Sequence, residues 1–291
     1  LRQRYRRNFL GISFILFLLL AYPEQVYGYG STIIVAKYGG DYTTIQGALD
    51  NASDTALNPV TIMITPGTYR ESLNICNGRY ISLVGVDKRT CIIRDDSGDY
   101  YKAPLNIAGN VKVSNLTVMA THDLGTPALK SYAIHHDFPG TGTSEINNCI
   151  LISEQNSAIG IGLQDQQTLI INDCELYKQD TGDTYDMGAL YIHNKQANGA
   201  INQKLIVKNS RIEADHGYAC VIQDANNRKG GGLGDARDTT ISLYNNVFWS
   251  KTLGDTGIIS GDAPLGAGTW GYIQLTADSF GNNTPECNRV K

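Results

Sequence analysis

Tyr191, His193 and Lys195 occupy alternate positions of the strand-like stretch Leu190-Tyr191-Ile192-His193-Asn194-Lys195, so an extended chain sends all three to one side. An aromatic ring, an imidazole and an ammonium on one face suit a sugar, which offers an apolar ring face and a rim of hydroxyls. His135, Asp137 and Gln223 come from stretches of the same pattern, and the six residues form a candidate carbohydrate-binding set. An ordinary solvent-facing surface is the competing reading.

Other groupings carry less chemistry. His135-His136-Asp137 offers metal-ligand types, but alternation turns His136 away from its two neighbours, as for a core histidine. Ser157 has no histidine and carboxylate on its own strand, so no nucleophilic triad is expected. Asp95-Asp96-Ser97-Gly98-Asp99 opens like a calcium loop yet lacks the rest of the ligand spacing and the closing glutamate, which leaves a solvated acidic turn. Arg228-Lys229-Gly230-Gly231-Gly232-Leu233-Gly234-Asp235 is glycine-rich without the Gly-Lys-Ser/Thr of a phosphate loop and reads as a surface loop. No metal site and no cofactor is expected.

The elements that must hold these residues repeat. Ser114-Asn115-Leu116-Thr117-Val118 recurs at Asn147-Asn148-Cys149-Ile150-Leu151, Asn172-Asp173-Cys174-Glu175-Leu176, Asn209-Ser210-Arg211-Ile212 and Asn245-Asn246-Val247-Phe248. Aligned on Asn115, Asn148, Asp173, Ser210 and Asn246, the steps are 33, 25, 37 and 36 residues. A second segment recurs as Ala133-Ile134-His135-His136-Asp137, Ala158-Ile159-Gly160-Ile161-Gly162, Ala189-Leu190-Tyr191-Ile192-His193 and Ala219-Cys220-Val221-Ile222-Gln223. Short strands recurring at such a period, with loops of variable length between them, define a solenoid of stacked β-coils. Ile134, Ile159, Leu190 and Cys220 then form one inward ladder, and His136, Ile161, Ile192 and Ile222 another. The asparagines suit tight corners, where their amides reach the next coil. Cys149 and Cys174 share a ladder position, either stacked as small apolar side chains or bridged. Asp41 to Leu49 reads as a short helix with Thr43 and Gln46 at capping-box spacing, plugging the open end, and Phe280 to Lys291 as a loop or loose cap.

Composition agrees. Thirty-one glycines among 291 residues disfavour long helices. Arg2, Arg4, Arg6 and Arg7 precede an apolar run from Phe9 to Ala21, which fits a secretory signal ending at Gly28 and falls short of a bilayer span. Without residues 1–28 the body holds 20 basic and 27 acidic residues, net −7. That balance opposes nucleic-acid binding and gives a polyanion no long-range attraction.

Val35-Ala36-Lys37-Tyr38-Gly39-Gly40-Asp41-Tyr42-Thr43-Thr44-Ile45-Gln46 resembles the opening of pectin methylesterases, and Gly67-Thr68-Tyr69-Arg70-Glu71 matches their Gly-x-Tyr-x-Glu motif. The resemblance implies a right-handed parallel β-helix. It also implies two catalytic aspartates, a glutamine for the oxyanion and an arginine beside the nucleophile. Gln179-Asp180-Thr181 looks like the family's Gln-Asp-Thr string and would make Asp180 the acid and Gln179 the oxyanion donor. The repeat ladder aligns otherwise: it puts Ser157 at the glutamine, Gly188 and Tyr218 at the aspartates and Ala267 at the arginine. The sequence therefore predicts a signal peptide, 1–28, and an all-β, single-stranded right-handed parallel β-helix with a short N-terminal capping helix, 29–291, secreted or held at the cell surface. It recognises polysaccharide or surface glycan and lacks the esterase residues. An active pectinesterase, with Asp180 and Gln179 at work, or another pectin-processing carbohydrate enzyme is the alternative, and a structural spike or adhesin the second.

Overall fold

The structure, a computed structural model, describes residues 30–95, 103–121, 132–154, 156–179, 188–192, 202–216, 219–222, 239–251, 258–260 and 289–290. The signal segment, the acidic run from Asp96 to Asp99 and the glycine-rich loop from Arg228 to Asp235 lie outside these residues.

Three parallel sheets share one axis. The first stacks eight strands, from Ser31–Val35 through Tyr80–Gly85, Asn110–Ser114 and Gly142–Asn147 to Thr239–Tyr244. The second stacks seven, from Leu73–Ile75 through Leu105–Ile107, Ile134–His136, Ile159–Ile161, Leu190–Ile192 and Cys220–Ile222 to Ile258–Ser260. The third stacks eight, from Gly67–Arg70 through Ile150–Ser153 and Glu175–Lys178 to Arg289–Val290. One coil visits the first sheet at Gly142–Asn147, the third at Ile150–Ser153 and the second at Ile159–Ile161, then re-enters the first at Gln167–Asn172. The fold is the right-handed parallel β-helix expected, wound in the hand that parallel crossovers take.

Alternation builds the core. Ile134, Ile159, Leu190 and Cys220 are fully buried in register, and so are His136 and Ile161, with Ile192 close behind. Burying each branched aliphatic side chain contributes roughly 1.5–3 kcal/mol, so stacked identical positions hold the coils together by area alone. His136 is the polar exception. Its Nε2 meets Ser144 Oγ at 3.1 Å, and that hydroxyl donates to Gly109 O at 2.8 Å, so the imidazole is the donor at Nε2. Burial pushes its pKa down to about 4, and the ring is neutral in the core.

Between the first and third sheets the chain turns on one left-handed residue per coil: Asn115, Asn148, Asp173, Asn209 and Asn245, all with φ between 50° and 56°. The last two correct the sequence alignment, which put Ser210 and Asn246 there; the true steps are 33, 25, 36 and 36 residues. Asn and Asp tolerate this conformation better than serine does. Asn148 Nδ2 donates to Asn115 Oδ1 at 2.8 Å and Asn245 Nδ2 to Asn209 Oδ1 at 3.1 Å. Asp173 has no amide to donate, and Asn209 reaches past it to Asn172 Oδ1 at 3.0 Å. One residue on, Cys149 N donates to Cys174 Sγ, Cys174 N to Ser210 Oγ and Ser210 N to Asn246 Oδ1, at 3.4, 3.1 and 3.0 Å. Both cysteines are free thiols, so the pair stacks and is not bridged.

Helix α1, Ile45–Asn51, closes the front end with Ile45, Ala48 and Leu49 buried. Its cap lies one residue later than the capping box suggests: Thr44 Oγ1 accepts from Gly47 N at 3.2 Å. Glu71 completes the cap from a distance, its carboxylate accepting from Ile45 N at 2.9 Å and Gln46 N at 2.7 Å. Tyr69 is buried, its hydroxyl 3.1 Å from Thr65 O and 3.3 Å from Val35 O. At the far end Arg289–Val290 joins the third sheet beside Val247 and Phe248, so the tail expected to be loop ends in a strand.

Candidate functional site

The outer face of the second sheet carries one residue per coil in strict register: Asn74, Asn106, His135, Gly160 and Tyr191. Asn106 Nδ2 donates to Asn74 Oδ1 at 2.6 Å, which orients the amides at the front of this row. At Gly160 the row has no side chain, and the ring of Tyr132 fills the gap. A Cβ at position 160 would stand 2.6 Å from Tyr132 Cε1, so only glycine admits this ring. Tyr132 stacks on His135 with centroids 4.7 Å apart and on Tyr191 with centroids 6.4 Å apart, near-parallel in both cases. Phe138 meets His135 edge-on at 5.4 Å. Asp137, its side chain 2% exposed, places Oδ2 3.8 Å from His135 Nε2.

This arrangement corrects one expectation and adds two residues. Tyr191 does turn outward, yet it is 1% exposed, because Tyr132 lies across the face and seals it. Tyr132 and Phe138 were missed. They fall just outside the repeated segment, and the signal that pointed to a covering ring was the glycine between His135 and Tyr191 in the ladder. The structure thus brings together His135, Asp137 and Tyr191 of the predicted set. His193, Lys195 and Gln223 lie outside the described residues.

The esterase positions can be read from the same register. Ile159 pairs with Leu190, which sets Ser157 and Gly188 level two residues earlier. Ser157 is fully buried and its N–H donates to Asn156 Oδ1 at 2.8 Å; Gly188 is buried and brings no side chain. Gln179 follows the strand Glu175–Lys178, is exposed, and donates its N–H to Ser153 O at 2.8 Å. Asp180, Tyr218 and Ala267 lie outside the described residues.

The parallel β-helix is a solenoid class, and solved structures of that class match the chain. Pectin methylesterase PemA from Erwinia chrysanthemi matches at a TM-score of 0.52 and 12% identity, over 87% of this chain and 76% of that one. A pectin methylesterase in complex with hexasaccharide VII matches at 0.51 and 16% identity, over 78% and 80%. A variant pectin methylesterase in complex with hexasaccharide IV matches at 0.50 and 14% identity, over 86% and 75%. At such identity the likeness establishes the fold. No protein-family model matches the sequence, and no curated protein matches it at a significant level.

Proposed function

We propose that this protein is exported and recognises a polysaccharide of the pectin type, in its uncharged methyl-esterified form, on the outer face of the second sheet, without hydrolysing the ester. The observation that carries the reading is the Tyr132, His135 and Tyr191 stack, spread over three coils and bordered by Asp137 and the Asn74–Asn106 pair. The half-buried Tyr132 ring offers a face to the apolar side of a pyranose, and the His135 imidazole and the exposed Asn74 amide exchange hydrogen bonds with its hydroxyls, while Tyr191 and Asp137 support them from beneath. The net charge of −7 beyond residue 28 favours esterified over acidic chains. Support for the sugar class comes from the hexasaccharide-bound pectin methylesterases of the same fold. The charged and apolar N-terminal segment supports export.

The ladder supports the absence of ester hydrolysis. A buried serine and a side-chain-free glycine stand where the resemblance calls for an oxyanion donor and a carboxylate. Acyl transfer by such a pair needs two ionisable carboxyls held in different environments. Methanol release from methyl-esterified polygalacturonate tests this directly. The expected rate equals that of the Asp180→Asn variant. A rate clearly above that variant would restore Asp180 as acid and Gln179 as oxyanion donor.

A further inference from the structure

On a different face of the solenoid, the outer side of the first sheet, a groove of about 310 Å³ opens over the strands Tyr80–Gly85, Asn110–Ser114 and Gly142–Asn147. This is the lower end of the roughly 300–1,000 Å³ of small-molecule sites. Its floor holds Tyr80, Asn110, Lys112 and Glu145, and Ala56 and Pro59 form a wall. The wall is rigidly held. Asp54 accepts from Arg79 Nε at 2.7 Å and from Tyr80 N at 2.6 Å, while Arg79 Nη2 donates to Leu49 O at the end of α1, 3.0 Å away. Thr55 and Asn58 close the loop with two reciprocal backbone bonds, at 3.0 and 3.1 Å. A ligand therefore meets a preformed cleft and loses little to ordering it.

The charges select the ligand. Lys112 Nζ lies 3.0 Å from Glu145 Oε1, with side chains 57% and 30% exposed, so both remain within reach of solvent. An anion entering the groove meets the Glu145 carboxylate, and a cation meets the Lys112 ammonium. A hydroxylated, uncharged ring satisfies both, donating to Glu145 and accepting from Lys112, while its apolar face lies on Tyr80. We infer that the first sheet carries a second sugar site, selective for an uncharged pyranoside. The site stands independently of the second-sheet reading. Two sugar sites on separate faces let one molecule hold two polysaccharide strands, with the gain in avidity that linkage brings.

Saturation-transfer NMR on the full chain tests it, with methyl β-glucopyranoside and methyl β-galactopyranoside as uncharged probes and galacturonate as the acid. Transfer to the ring protons of at least one uncharged probe is expected, with none to galacturonate. Tyr80→Ala weakens that binding about five-fold or more, the size of a lost ring stack, and Tyr80→Phe restores it. Glu145→Lys abolishes the uncharged signal and creates one for galacturonate, and since Glu145 is at the surface this variant keeps its fold. Tyr38→Ala, which removes an exposed ring that does not line the groove, leaves every one of these signals unchanged. Absence of transfer to both uncharged probes overturns the inference. So does transfer that survives undiminished in both Tyr80→Ala and Glu145→Lys, or that disappears with Tyr38→Ala.

Discussion

The front coil and the outer face of the second sheet use the same kinds of residue in different ways. At the front, the Gly-x-Tyr-x-Glu motif is consumed by structure: Tyr69 ties two backbone carbonyls together and Glu71 caps α1. On the second sheet, Tyr132, His135 and Tyr191 stack on one another across three coils. The closest sequence match to the esterases thus falls where the residues have architectural work. A motif shared with an enzyme family carries fold when its side chains bond to backbone, and carries chemistry only when they are left to face a ligand.

The comparison breaks most visibly at the boundary between inside and outside. Ile192→Asp puts an unpaired carboxylate in a dry ladder, at a cost above about 4 kcal/mol, and no soluble folded protein is expected on expression. If the variant purifies with an unaltered circular-dichroism spectrum, the inward phase is misassigned. Its neighbour gives the next largest effect. Because Tyr191 is sealed by Tyr132, Tyr191→Ala is expected to destabilise by about 3 kcal/mol, read by chemical denaturation, whereas a solvent-exposed ring would leave the midpoint in place.

The front coil sharpens the contrast. Glu71→Ala strips two amides of their acceptor at the start of α1 and is expected to cost about 1–2 kcal/mol, with no effect on carbohydrate binding. Loss of binding in a folded Glu71→Ala protein would show that the motif does more than cap.

The mildest effect is the pH response of His136. Its folded pKa, about 4, lies below the ordinary value of 6.5 because burial disfavours the charged ring. Between these values the unfolded chain binds the proton and the fold does not, so the contribution is complete above pH 6.5 and declines as pH falls toward 4. Thermal midpoints measured from pH 7 to pH 4 are expected to fall, and to fall less in His136→Gln. Parallel profiles for the two proteins would remove the buried imidazole as the cause.

Period and alternation made the solenoid legible, because the described coils from Asn115 to Asn245 repeat an inward pair, apolar apart from His136, and a corner Asn or Asp. Register at the later corners was less so: Asn209-Ser210 and Asn245-Asn246 each offer two polar residues, and only the left-handed backbone at Asn209 and Asn245 decides between them. The site was half legible. Outward positions on a strand follow from alternation, which found His135 and Tyr191. Burial of an outward face depends on what lies over it, and Tyr132 reaches it from a position outside the repeat, across Gly160. Asp137 illustrates the same point: it was assigned to an exposed row and is nearly buried beside His135.

The central claim is that the second-sheet row binds sugar. Calorimetric titration of a methyl-esterified galacturonan hexasaccharide into the wild-type protein and into His135→Ala tests it most directly, since His135, like Tyr132, is partly exposed and its loss removes a ring contact and a hydrogen-bonding group together. The account predicts saturable binding by the wild type and an affinity at least about five-fold weaker in the variant. Identical affinities in two folded proteins, or no heat of binding in either, would contradict it.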